Sequence, residues 1–295
     1  MEIKIQKNTA LSQFCTYRTG GKALYFAPAT DWQGVFHLRE FAKKQKIPYM
    51  ILGGGSNVLF PDEGYPGLVI LNHIDRMEFH DGMVTVGSGA HLMKLLMTAM
   101  QHNLGGISAL ANVPGTVGGA IYGNAGIPGM WIGDVLAHAS ILPENENRPM
   151  IVTPDYFEFG YRTSKAKRTK DIILSGTIKL SPTPAIITRK EIDGYIKERA
   201  QKQPSGFCCG SFFKNPSEFP SAGWLIEQAG CKGMTMGGAQ VSEKHANFFM
   251  NTGKATSTDI LNLALRVHDA VKTKFDVNLE PEVQIIGNNP FKKNN

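Results

Sequence analysis

The chain is poor in cysteine: four in 295 residues, Cys15, Cys208, Cys209 and Cys231, with no CxxC pair. Adjacent Cys208 and Cys209 do not readily bridge each other, so the sequence predicts free thiols in a reducing compartment. The eight histidines are scattered, without an HxxxH pair or a Cys/His cluster, and no metal site is expected. Charge is missing from Leu95 to Gly133, a stretch with no Asp, Glu, Lys or Arg. A spanning helix needs about 20 consecutive apolar residues. This run is broken by Asn103, Asn112, Pro114, Asn124, Pro128 and many glycines, so it reads as buried backbone loops and not as a membrane span. Residues Met1 to Lys7 have no apolar core, and no signal peptide is expected.

Familiar nucleotide and hydrolase fingerprints are missing as well. Gly87-Ser88-Gly89 begins a GxGxxG pattern, but Leu92 stands where the third glycine belongs. Gly253-Lys254 is followed by Ala255, without the Ser or Thr that would hold magnesium in a P-loop. No GxSxG elbow surrounds Ser211, which makes it an unlikely hydrolase nucleophile.

What remains is a globular composition. The apolar fraction is 42%, too high for a disordered chain. The net charge of +6 favours anionic partners without choosing among them. Glycine, at 32 residues, is concentrated in particular loops.

Along the chain, Asp31 to Lys46 reads as an amphipathic helix capped by Asp31, with Trp32, Val35, Phe36 and Phe41 on one face. Strands are expected at Tyr49 to Leu52, Leu68 to Leu71, Met83 to Val86, Ala137 to Leu142, Met150 to Thr153 and Asp171 to Leu180. A helix fits His91 to His102. Ser181-Pro182-Thr183-Pro184 reads as a linker. Beyond it, helices fit Arg189 to Gln203, Ser221 to Ala229 with Gly230 as terminator, and a last one capped by Ser257 or Thr258 and running to Phe275. A closing strand is expected near Val283 to Ile286. The fold class is α+β, with a smaller C-terminal part.

Two glycine clusters carry chemistry. Gly53-Gly54-Gly55-Ser56-Asn57 follows a strand directly, and glycine lets backbone N–H groups approach an anion such as a pyrophosphate. The second is Pro114-Gly115-Thr116-Val117-Gly118-Gly119-Ala120. Two such loops suit a large dinucleotide held by backbone contacts; the alternative, close packing between strands and helices, explains one or two glycines better than a whole series. Arg162, in Phe159-Gly160-Tyr161-Arg162, is a candidate for holding a carboxylate or developing negative charge. The basic residues after it, Lys165 to Lys170, read as a solvated loop. Ser211, in Gly210-Ser211-Phe212-Phe213-Lys214-Asn215-Pro216, is open to a proton-donor or simple hydrogen-bonding role. Glu282, in Glu280-Pro281-Glu282-Val283, is a candidate acid at the start of an apolar strand.

In order, the motifs are Tyr17-Arg18-Thr19-Gly20-Gly21, GGGSNVL at Gly53 to Leu59, PGTVGGA at Pro114 to Ala120 and GYR at Gly160 to Arg162. GSFFKNP at Gly210 to Pro216, AGWLIEQAG at Ala222 to Gly230 and EPEV at Glu280 to Val283 complete the series. This series resembles the UDP-N-acetylenolpyruvoylglucosamine reductase family over nearly the whole chain. The resemblance implies an FAD-binding domain of the vanillyl-alcohol-oxidase (PCMH) type over residues 1–184, in two α+β lobes. A smaller α+β substrate-binding domain would follow over 185–295.

The implied activity is reduction of FAD by NADPH and hydride transfer to the enolpyruvyl group, giving UDP-N-acetylmuramate for peptidoglycan precursor synthesis, with consequences for cell shape, division and cycle. Arg162 matches the charge-stabilising arginine, Glu282 its partner glutamate and Ser211 the proton donor. Tyr161, Lys202, Asn215 and His245 match substrate contacts. Gly53, Gly54, Gly55, Ser56 and Asn57, with Gly115, Thr116, Gly118, Gly119 and Ala120, would hold FAD. The FAD would be non-covalent, since neither loop contains His or Cys.

The short stretch between Arg162 and Ser211 resembles the shorter class of the family, which lacks a substrate-covering loop. Gln284 replaces a common basic residue, and Ile127 to Trp131 departs from the family pattern. A cytoplasmic enzyme is expected, monomeric or weakly homo-oligomeric, with neither nucleic acid nor membrane as partner. The alternatives are a flavin oxidase or dehydrogenase of the same fold acting on another small molecule, and a nucleotide-binding protein that has lost activity.

Overall fold

Residues 4–292 are described by a computed structural model. The chain forms two compact units. Among the described residues, the first comprises 4–6, Tyr25–Gly54 and Gly67–Arg199; the second comprises Lys7–Leu24, Gly55–Pro66 and 200–292.

In the first unit, helix Trp32–Gln45 starts where Asp31 accepts the Gly34 N–H at 2.7 Å. Lys46, at φ 56°, closes it in the left-handed region. Its Val35, Leu38 and Ala42 pack on Leu68 and Ile70 of strand Tyr65–Asn72, which runs parallel to Tyr49–Leu52 in the register Tyr49↔Leu68 to Leu52↔Leu71. Leu142, Ile172 and Leu174 join this core from a second sheet. That sheet has five strands in the order Met150–Val152, Leu136–Leu142, Ile172–Lys179, Met83–Gly87, Met77–His80, all antiparallel. Helices Leu92–Gln101 and Val117–Gly123 cover it through Leu92, Leu95, Leu96, Val117 and Ile121.

Arg39 lies on the apolar face of the first helix and is fully buried. Its Nη1 and Nη2 donate to the Pro143 and Glu146 carbonyls at 2.7 and 2.5 Å. The buried cation is thereby satisfied by two carbonyls of the 143–146 turn.

Two sequence expectations change here. The stretch 105–133 is not mainly loop. Thr116 caps helix Val117–Gly123, Asn124 at φ 43° ends it, and short helical turns form at Ser108–Asn112 and Ile132–Val135. With Gly118, Gly119 and Gly123 inside, the middle helix has poor intrinsic propensity, and burial of Val117, Ala120 and Ile121 stabilises it instead. Nor is 181–184 a linker. Ser181 and Pro182 pair with Gly105 and Leu104, while Asn103 takes the N–H groups of Thr183 and Ala185. Helix Ala185–Lys202 follows, and its buried Ile192 belongs to the first unit's core. The compact units therefore differ from a division at 184/185.

In the second unit, strands Thr235–Met236, Ala239–Val241 and Phe249–Asn251 form an antiparallel sheet. Helix Ser257–Phe275 buries Ile260, Leu263, Ala264, Val267 and Val271, and helix Ala222–Gln228 buries Leu225 and Ile226. Gln284–Ile285 pairs in parallel with Val58–Leu59, which ties the end of the chain to residues 55–66. The long helix is capped one residue earlier than expected, by Thr256, whose hydroxyl accepts the Asp259 N–H at 3.0 Å. Ser257 and Thr258 instead donate their N–H groups to the Asp62 carboxylate, each at 2.8 Å.

The Asp259 carboxylate completes the box by accepting the Thr256 N–H at 2.9 Å, and this bond holds its pKa below the ordinary carboxylate value. The stabilisation is therefore present above the ordinary range and lost as pH falls through the lowered value. Asp259→Asn should be less stable than the parent by about 0.5–1 kcal/mol at neutral pH, with the gap closing below pH about 4 in urea titrations. A gap independent of pH would contradict this. Among the described residues no helix is long and apolar enough to cross a membrane.

Candidate active site

Gly53 and Gly54 belong to the first unit and meet the second glycine cluster there. A Cβ on Gly53 would lie 2.4 Å from Thr116 Oγ1, and one on Gly54 would lie 3.4 Å from both Gly115 Cα and His91 Cε1. Gly53 and Gly54 thus leave room for the Thr116 hydroxyl, the Gly115 main chain and the His91 ring. The N–H groups of Val117, Gly118 and Ala120 are committed, to Ala90, Ser88 and Thr116 carbonyls at 2.9, 2.8 and 2.9 Å. Gly118 is a packing glycine, since its Cβ would fall 2.7 Å from that of Ser88. Gly119 donates weakly to the Thr116 hydroxyl, at 3.4 Å. His91 comes against both loops, a placement that its helical spacing gave no hint of.

Gly55, Ser56 and Asn57 belong to the second unit. Gly55 sits at φ 62°, and a Cβ there would be 1.9 Å from the Phe14 carbonyl oxygen, so only glycine fits. Asn57 donates its side-chain amide to the Glu282 carbonyl at 3.1 Å, and its own carbonyl accepts the Gln284 N–H at 3.1 Å.

In the first unit, Gly160 and Thr163 pair across a tight turn that presents Tyr161 and Arg162. Arg162 is held at φ 55°, an uncommon conformation outside glycine. Its Nη1 donates to the Gly126 carbonyl at 3.0 Å, and its guanidinium lies 5.1 Å from the Trp131 ring centre and 5.7 Å from that of Tyr161. Tyr161 is exposed.

In the second unit, Ser211 and Glu282 are brought onto neighbouring extended segments. The Phe212 carbonyl accepts the Glu282 N–H at 2.8 Å, and Phe213 bridges to Pro281. On the other side Ser211 bridges to Phe248, and Phe212 donates its N–H to the Asn247 carbonyl at 2.8 Å. Asn247 pins the strand again with its side chain, accepting from Phe213 N at 3.0 Å and donating to Phe213 O at 2.8 Å. Asn247 is buried, and the sequence gave no sign of its role. Asn247→Ala leaves both of those backbone groups unpaired, and it should cost about 2–4 kcal/mol in denaturant unfolding. A loss within about 0.5 kcal/mol would contradict that geometry.

His245 is half-buried against Gly223 and Phe248. Burial pushes its pKa down, which favours the neutral ring. Its Nδ1 accepts the Asn247 N–H at 3.2 Å, so the proton of the neutral ring resides on Nε2, a donor. Asn215 accepts the Ala222 N–H at 3.0 Å and so supports the start of a helix. Lys202 is exposed at the end of helix Ala185–Lys202.

Residues 201–286 match the C-terminal domain of UDP-N-acetylenolpyruvoylglucosamine reductase, and residues 23–140 match an FAD-binding domain. The chain is 37% identical over 291 residues to the UDP-N-acetylenolpyruvoylglucosamine reductase of a Synechococcus strain, covering 96% of this chain and 92% of that one. It belongs to the UDP-N-acetylenolpyruvoylglucosamine reductase family.

The enzyme of that name from Latilactobacillus sakei is 38% identical, over 97% of this chain and 94% of its own. Among solved structures, the reductase from Thermus caldophilus superposes with a TM-score of 0.81 at 29% identity, covering 97% of this chain and 99% of that one. The fold of this reductase-family chain is α+β with an FAD-binding domain of the vanillyl-alcohol-oxidase (PCMH) type. FAD fits the residues present: Gly53, Gly54 and Gly115 bring main chain without side chains of its own against the Thr116 hydroxyl, the small polar lining that suits a diphosphate.

Proposed function

We propose that this protein reduces the enolpyruvyl group of UDP-N-acetylenolpyruvoylglucosamine to UDP-N-acetylmuramate, with FAD as its non-covalent cofactor and NADPH as reductant. The observation that carries this reading is that Ser211 and Glu282 lie on adjacent backbone segments, joined by the bond from the Glu282 N–H to the Phe212 carbonyl, in a chain of this family that also retains Arg162. Gly53, Gly54, Gly115 and Thr116 would hold the FAD diphosphate through backbone groups. Gly55, Gly118, Gly119 and Ala120 would shape that surface, with Ser56 and Asn57 continuing it. When bound, FAD supplies hydride acceptance from NADPH and hydride delivery to the terminal enolpyruvyl carbon.

The residues of the chain handle the charge and the proton. Hydride addition breaks the carbon–carbon double bond and moves its electron pair toward the substrate carboxylate as an enolate. Arg162 offsets that charge, where a fixed guanidinium acts best because it needs no reorganisation. Ser211 gives its hydroxyl proton to the neighbouring carbon and regains one from solvent. Glu282 works with Arg162 in the reaction. Tyr161, Lys202, Asn215 and the neutral His245 serve as contacts for the UDP-sugar. The net change is one NADPH and one proton consumed per double bond reduced.

The setting proposed is cytoplasmic precursor synthesis for peptidoglycan, as a monomer or weak homo-oligomer without nucleic acid or membrane. The deciding experiment is NADPH oxidation with and without the UDP-sugar, with the product weighed by mass spectrometry. The reading requires UDP-sugar-dependent oxidation and a product two hydrogens heavier. NADPH oxidation that ignores the UDP-sugar would contradict it.

A further inference from the structure

The structure gives the segment Gly126 to Trp131 a task. Gly126–Ile127 and Met130–Trp131 form a small antiparallel hairpin in the first unit, turning at Pro128 and Gly129, the latter at φ 95°. The hairpin pairs Trp131 with Gly126, and these two residues are the ones that hold Arg162: Gly126 by its carbonyl on Nη1, Trp131 by its ring under the guanidinium. Trp131 is itself fixed. Its main-chain N–H donates to Asp134 Oδ2 at 2.8 Å, and its ring meets that of Tyr161 edge-on with centroids 6.0 Å apart. Gly126 admits no side chain, since a Cβ would lie 2.3 Å from the Met130 carbonyl oxygen. A long arginine on a tight turn has many rotamers. An indole face on one side and a carbonyl at one nitrogen remove most of them, and tryptophan is the aromatic residue best suited to attract a cation.

We propose that Trp131 is a positioning residue, whose indole holds the Arg162 guanidinium in the orientation that meets charge developing on the substrate carboxylate. This rests on the reductase reading given above. Because Arg162 is invoked for charge that appears only in the transition state, loosening it acts on kcat more than on KM.

The test uses FAD-loaded Trp131→Leu and Trp131→Phe, each also in an Arg162→Met background. Trp131→Leu should keep its FAD and melting temperature and lower kcat roughly tenfold, with KM for the UDP-sugar changed by less than about threefold. Trp131→Phe should recover most of the loss. In the Arg162→Met background Trp131→Leu should cost nothing further. Equal losses in both backgrounds would overturn the proposal, as would loss of FAD or a large fall in melting temperature.

A second readout does not need turnover. The Arg162 Nε–H resonance, assigned by its disappearance in Arg162→Met, should lie upfield in the parent from the indole ring current. It should move back in Trp131→Leu and partly back in Trp131→Phe. An unmoved resonance in both variants would overturn the proposal even if the parent proved inactive on the UDP-sugar, so the two readings fail separately.

Discussion

Ser211→Ala should purify with FAD bound and be reduced by NADPH at close to the parental rate, while conversion of the UDP-sugar falls by about 10²–10⁴-fold. The structural cost of the change is small. Ser211 is half-buried, and its strand is held by the backbone bridge to Phe248 and by the bonds of Phe212 and Phe213 to Asn247, none of which uses the Ser211 hydroxyl. What disappears is the proposed proton donor. A serine hydroxyl is a poor acid in water, so its effect depends on being fixed where the carbanionic carbon forms, and a methyl group cannot replace it. Parental turnover in this variant would remove Ser211 from the reaction.

Glu282→Gln should slow reoxidation of the reduced flavin by the UDP-sugar by at least about tenfold, and flavin reduction by NADPH far less. The position of Glu282 is set by its main chain: its N–H donates to Phe212 and its carbonyl accepts from the Asn57 side chain. An isosteric amide leaves both bonds in place and removes only the charge. Stopped-flow absorbance separates the two half-reactions. Equal slowing of both would show that the carboxylate acts on something common to them, contrary to the role proposed for it.

Much of this fold was legible in the chain because local chemistry and packing agree. Asp31 and Lys46 bound a helix whose apolar stripe is buried, and Tyr49 to Leu52 is a strand too apolar to be anything exposed. The short helix Val117–Gly123 was not legible, since its three glycines argue against a helix that only burial supports. The contribution of residues 55–66 to the second unit was not legible either. It depends on a two-residue parallel ladder between Val58–Leu59 and Gln284–Ile285, with no periodicity to announce it.

The candidate site divides in the same way. Ser211 and Glu282 stood out by their flanking motifs, and the structure sets them on neighbouring extended segments, with Phe212 bonded to Glu282. Asn247, which pins the segment that carries Ser211, and Arg39, a cation on an apolar helix face, carry no pattern of their own. Their roles exist only through backbone carbonyls and N–H groups that folding brings to them. Gly118 looked like its neighbours in the second glycine cluster, yet its N–H is spent on Ser88 and its missing Cβ makes room for that residue.

The most direct measurement is an anaerobic visible spectrum of the purified protein, with NADPH added first and UDP-N-acetylenolpyruvoylglucosamine second. A flavin spectrum that bleaches with NADPH and returns with the UDP-sugar is the result expected of this reductase. A flavin that bleaches and stays bleached when the UDP-sugar is added would contradict it.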